Sequence, residues 1–252
     1  MKHNSRKENC ASSGKVQNST PGCDSRERRS RVIYLHGLAS SPGSYKAKAF
    51  ERYFNAWCMD AVYPDLNEPA FSDLTISRAL DAVVGLIDEC DPKSPLMLMG
   101  SSFGGLVAGF AARMRSSVVD CLCLMAPAFD MEGLWNRVLG KTGLELWREK
   151  GYLEMEHPAY PEIQRLNYGF YENVLALTTE PMKLKMPSLV FHGRNDEVVD
   201  PSVAIRFREI NPEAELHMLP DDHDLNESVE FMAEKLGGFL LRLGLIADPR
   251  LI

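Results

Sequence analysis

The 252-residue chain has no apolar run near the length of about 20 residues that spans a bilayer. Its N-terminus lacks the apolar segment of a secretory signal. Six cysteines are present (Cys10, Cys23, Cys58, Cys90, Cys121 and Cys123), but no two of them have C-x-x-C spacing. Neither a zinc ligand set nor a thioredoxin-like motif is indicated, and the thiols are expected to be reduced. Basic charge is also short. Lys and Arg number 28 against 35 Asp and Glu, a net charge of −7. That balance speaks against a nucleic-acid binder, which carries a basic face. There is no internal repeat. What remains is the composition of a soluble globular protein, 45% hydrophobic and 25% charged, long enough to bury a large core.

The charge is unevenly spread. Residues 1–31 hold eight Lys/Arg and three Asp/Glu, a net of +5, which leaves −12 for the remainder. This stretch is rich in Ser and Asn and nearly free of large apolar residues, so it is expected to be a disordered tail. Abundant Arg and Ser leave an organelle transit peptide open. Glu8, Asp24 and Glu27 count against it, and the cytoplasm is the expected compartment.

From residue 32 onward, short apolar runs alternate with amphipathic ones. Val32–Leu35, Met59–Tyr63, Leu96–Met99, Val118–Met125, Ser188–Phe191 and Glu215–Leu219 read as strands. Leu80, Val83, Val84 and Ile87 fall on one face of a helix. Further helices are expected over Lys46–Ala56, Leu106–Met114, Val203–Glu209 and a last segment containing Val229, Met232, Leu236 and Leu240. This alternation predicts an α/β fold with a mostly parallel central sheet and helices on both faces. Residues 130–180 break the rhythm and read as an insertion. The one folded domain is expected over 32–252.

Gly100-Ser101-Ser102-Phe103-Gly104 fits G-x-S-x-G, straight after an apolar strand and straight before a helix. The chemistry explains that context. A serine on a sharp strand-to-helix turn needs small neighbours, and the helix N-terminus offers free N–H groups to a developing oxyanion. Ser102 is the candidate nucleophile. Ser101 is the rival, but it would put the glycines out of register by one. A serine hydroxyl needs a base, and in this arrangement the acid and the histidine follow in the order Ser…Asp/Glu…His. Asp196, in the stretch Phe191-His192-Gly193-Arg194-Asn195-Asp196, is the candidate acid, with Glu197 and Asp200 as competitors. His223, just past the last strand, is the candidate base. Of the other histidines, His36 and His192 precede glycines at strand ends and are expected to shape loops. The loop His36-Gly37-Leu38 after the first strand would supply a second oxyanion donor. Gly37 permits close approach, and the N–H groups of Leu38 and Phe103 are the candidate pair.

HGLASSPGS, GSSFGG, FHGRNDEVV and DDHDL together resemble the α/β-hydrolase superfamily over about residues 32–243. More narrowly, the chain is similar to the small YqiA-type esterases and their cyanobacterial and plastid-lineage relatives. The resemblance implies hydrolysis of a small-molecule carboxylic ester or thioester, with neither a metal nor an organic cofactor. An amidase or peptidase would use the same three residues, and the fold also serves non-catalytic binding proteins. Members of this fold often carry a helical cap where 130–180 lies. The aromatics there either line a substrate pocket, with Trp135 and Trp147 the first candidates, or form the cap's own core. The sequence leaves the oligomeric state open.

Overall fold

The computed structural model describes residues 29–177 and 182–247. The expected tail lies outside the described residues up to position 28, and Arg31, assigned to that tail, instead opens the first strand. In chain order the elements are β1 (Arg31–Leu35), α1 (Tyr45–Ala56), β2 (Asp60–Val62), α2 (Ile76–Asp88), β3 (Leu96–Ser101) and α3 (Phe103–Met114). Then come β4 (Cys121–Met125), α4 (Met131–Lys150), β5 (Tyr152–Met155), β6 (Gln164–Asn167) and α5 (Gly169–Leu177). β7 (Ser188–Gly193), α6 (Ser202–Ile210), β8 (Glu215–Leu219) and α7 (Val229–Arg242) complete the fold.

Six strands form one sheet in the order β2-β1-β3-β4-β7-β8, and every neighbouring pair is parallel. Helices cover both faces, which explains why the strands are apolar almost throughout. Alternate side chains divide between the two sides. Ile33, Leu35, Leu96, Leu98, Leu122, Leu124 and Val190 pack with α2, α3 and α6. Val32, Tyr34, Met97, Met99, Cys121, Cys123 and Phe191 pack with α1 and α7. The chain steps outward from β1 to β2, then crosses back to place β3 on the other side of β1. That reversal is a switch point between β1 and β3, and open α/β sheets carry their ligand sites outside the carboxyl ends of the strands at such a point.

The segment between β4 and β7 departs from the expected helical insertion in one respect. Besides α4 and α5 it contains an antiparallel pair, with Leu153 opposite Leu166 in the β5–β6 register. The strands of this pair are short and half exposed, so they lack the long apolar run that marks a buried strand. Helix α4 is interrupted at Gly140, which has φ 60° and ψ −179°.

Cys90, Cys121 and Cys123 are free and buried, as expected. Among the described residues no helix is long and apolar enough to cross a membrane.

Candidate active site

The G-x-S-x-G turn joins β3 to α3. Ser102 sits between them with φ 53° and ψ −115°, a positive-φ conformation that a non-glycine residue adopts only under constraint. The Ser102 N–H is held by the Met125 carbonyl at 2.9 Å, and the Ser102 carbonyl accepts from Gly105, Leu106 and Ala128. The two glycines of the motif are required by contact rather than by dihedral. A Cβ on Gly104 would overlap the Leu35 and His36 carbonyls, and one on Gly100 would overlap the Gly104 backbone. Helix α3 thus starts hard against the end of β1. Ser101 stays in the β3 ladder opposite Met125 and is buried, whereas Ser102 is half-exposed.

Ser102, His223 and Asp196 form one hydrogen-bonded chain. Ser102 Oγ lies 3.0 Å from His223 Nε2, and His223 Nδ1 lies 2.8 Å from Asp196 Oδ2. A carboxylate only accepts, so Nδ1 carries the proton and Nε2 presents its lone pair to the hydroxyl. Asp196 is buried. Its Oδ1 accepts the N–H groups of Val198 at 2.9 Å and Val199 at 2.8 Å. Burial alone would raise the Asp196 carboxyl. The hydrogen bonds from His192 and His223 and the Val199 N–H outweigh that and hold it well below the ordinary carboxylate range. The competing acids lie outside this chain. Glu197 is exposed, and Asp200, also exposed, accepts from the Ser202 N–H at 2.8 Å.

The loops after β7 and β8 are tied together, which fixes the imidazole. Arg194 N–H donates to the Leu219 carbonyl and Asn195 N–H to that of Asp221. A Cβ on Gly193 would overlap the Asp221 and Asp222 carbonyls, so these backbones touch. From α1, the Lys46 ammonium donates to the carbonyl of Asp224, next to His223, and lies 3.8 Å from the Asp224 carboxylate. Burial lowers the pKa of this ammonium, against the opposing pull of Asp224, Asp222, Asp221 and Asp196. The sequence reading missed Lys46, because a lone lysine at a helix start has no distinguishing pattern.

The loop after β1 lies against the nucleophile. A Cβ on Gly37 would come 3.5 Å from that of Ser102. His36, expected only to shape its loop, does so through one peptide unit. Its Nε2 accepts from the Leu66 N–H at 2.9 Å, so its Nδ1 carries the proton and donates to the Gly37 carbonyl at 2.9 Å. That carbonyl and the Leu38 N–H belong to the same planar group, so His36 sets the direction of both. The N–H of Phe103, first in α3, has no acceptor within the helix. The Phe103 ring is buried 5.7 Å from Phe170 of α5.

Trp135 and Trp147 are placed differently from the other candidates. They are 3% and 2% exposed, with ring centroids 4.9 Å apart inside the main core. Trp147 Nε1 donates to the Leu166 carbonyl at 3.0 Å, and Tyr168 and Tyr171 flank its ring. Both rings pack among the aromatic side chains of this segment.

A search among known proteins gives consistent results. The chain is 25% identical to the mitochondrial palmitoyl-protein thioesterase ABHD10 of Bos taurus over 211 residues, 79% of this chain and 68% of that protein. Est1E of Butyrivibrio proteoclasticus, solved with ferulic acid bound, superposes with a TM-score of 0.71 at 20% identity, over 87% of this chain and 91% of that one. Mouse α/β hydrolase domain-containing protein 10 gives a TM-score of 0.68 at 19% identity, over 84% and 90%. The neighbours are α/β hydrolases, and the relatives are of esterase and thioesterase type. The model of the uncharacterised protein family UPF0227 matches residues 31–234, and the chain is therefore a member of that family with the α/β-hydrolase fold.

Proposed function

We propose that the protein is a serine hydrolase that cleaves a small-molecule carboxylic ester or thioester through an acyl-enzyme on Ser102. The observation that carries this reading is the unbroken hydrogen-bond chain from the Ser102 hydroxyl through His223 to the Asp196 carboxylate. In the first step the Ser102 oxygen bonds to the substrate carbonyl carbon while its proton passes to His223 Nε2. The resulting imidazolium is stabilised by Asp196, which remains ionised. The carbonyl oxygen, now negative, accepts from the N–H groups of Leu38 and Phe103. Removal of one such donor typically costs about 3 kcal/mol of transition-state stabilisation. As the tetrahedral intermediate collapses, the leaving alcohol or thiol takes the proton from His223. Water then repeats the path and releases the acid.

The thioester arm draws support from the name of the bovine relative, a palmitoyl-protein thioesterase. The cytoplasm is the proposed compartment. Import into an organelle would remove the basic, serine-rich N-terminus, and N-terminal sequencing of the protein isolated from its cells decides between the two.

The test is Ser102→Ala, assayed on a panel of p-nitrophenyl esters and acyl thioesters. Turnover should fall by about a million-fold, the scale seen when a triad serine is removed. The variant should also lose labelling by a fluorophosphonate probe while keeping its thermal transition. Wild-type turnover in Ser102→Ala would refute the reading, and a wild-type protein inert to every substrate and to the probe would favour a binding role.

A further inference from the structure

Behind Asp196 lies a second imidazole that the proposed reaction does not use. His192, the penultimate residue of β7, is 0% exposed. Its Nε2 lies 3.1 Å from Asp196 Oδ2 and 3.0 Å from the Val199 carbonyl oxygen. Both neighbours are acceptors, so Nε2 must carry a proton and donate it. Oδ2 is the same oxygen that receives the His223 Nδ1–H, while Oδ1 takes the N–H groups of Val198 and Val199. A carboxylate has about four acceptor positions; three are taken by Val198, Val199 and His223, and His192 Nε2 stands 3.1 Å from the fourth. His192 also closes a ring. Val199 donates its N–H to one oxygen of Asp196, and the Val199 carbonyl meets the same Nε2 that meets the other oxygen.

This arrangement costs stability. The other ring nitrogen, Nδ1, is buried with no hydrogen-bond partner among the described residues. An unpaired buried polar atom is unfavourable, and an apolar side chain such as those of the preceding Val190 and Phe191 would fill the site without it. A local cost of this kind next to a reacting group is characteristic of functional sites.

We propose that His192 is a positioning residue: its Nε2–H pins the Asp196 carboxylate so that Oδ2 faces His223 and cannot rotate away. The inference rests on the reading of Ser102, His223 and Asp196 given above. Three replacements separate it from a purely structural role. His192→Leu keeps the bulk and removes the donor. His192→Gln keeps an amide N–H near the Nε2 position. His192→Asn carries an amide too short to reach Asp196.

The leucine variant should lose about ten- to a hundred-fold in kcat, the scale of a small misalignment in the site, with KM within about twofold of wild type. His192→Gln should recover most of that loss. In an Asp196→Asn background His192→Leu should add less than about twofold, because a residue acting only through Asp196 has nothing left to align. If the leucine variant does not fold, His192→Asn replaces it and should be slow where His192→Gln is fast. Wild-type kcat in His192→Leu would overturn the inference. So would equal rates in the glutamine and asparagine variants, a leucine penalty that persists beside Asp196→Asn, or failure of all three replacements to fold. Should Ser102→Ala keep its rate, the underlying reading fails instead. If Ser102→Ala is inert and His192→Leu is unimpaired, only this inference falls.

Discussion

The carboxyl edge of the six-stranded sheet and the segment between β4 and β7 achieve order by different means. At the edge, order is directional. Ser102 is held at a positive φ by bonds to Met125, Gly105 and Ala128, Asp196 accepts from Val198, Val199 and His223 with His192 Nε2 3.1 Å away, and Gly104 and Gly193 let backbones touch. In the cap, order comes from area. Trp135, Trp147, Tyr168, Phe170 and Tyr171 pack ring against ring, and the Trp147 hydrogen bond to the Leu166 carbonyl anchors the cluster. The two meet where Phe170 packs against Phe103. The lesson is that substitutions at the edge should register in rate, and those in the cap in stability.

The largest effect is expected at the edge. Asp196→Asn should lower kcat by about ten-thousand-fold, since the wrong imidazole tautomer results, with KM little changed. Steady-state kinetics on any turned-over ester checks this, and a loss confined to KM would break the contrast. In the cap, Trp147→Ala should destabilise by about 3–5 kcal/mol in a denaturant titration. The folded fraction should keep kcat within about tenfold, and complete loss of turnover by folded protein would break the contrast from the other side. The smallest effect sharpens it through pH. Because the Asp196 carboxyl is depressed in the fold, the stability it contributes is present above the unfolded carboxylate pKa of about 3.9 and fades as pH falls below it. The difference in thermal stability between wild type and Asp196→Asn should therefore be constant near neutrality and close below about pH 4. A gap that widens on acidification would contradict the sign.

The middle of the sheet was legible because β3, β4 and β7 are covered on both faces and read as apolar runs, as Leu96–Met99 does. The edge was legible where chemistry restricts both residue type and position. Gly100 and Gly104 bracket Ser102, and Asp196 and His223 each follow a strand end in the expected order. What was not legible depends on neighbours remote in sequence. The β5–β6 pair is too short and too polar to mark a strand. Aromatic content could not tell a packed tryptophan from a pocket wall. His36 and His192 were recognised as loop-shaping residues, but only the distances reveal that one fixes the Gly37–Leu38 peptide and the other meets Asp196.

The contact of Lys46 with the Asp224 carbonyl has a mechanical consequence. Helix α1 begins directly after the segment that carries Leu38, and its lysine grips the segment that carries His223. The Arg52–Glu230 pair, 2.8 Å apart, ties the same helix to α7. The segments that carry Leu38 and His223 are thus mounted on a common strut. A tilt of that one helix would carry both segments together and keep their spacing, whereas a break at Lys46 would let them drift separately.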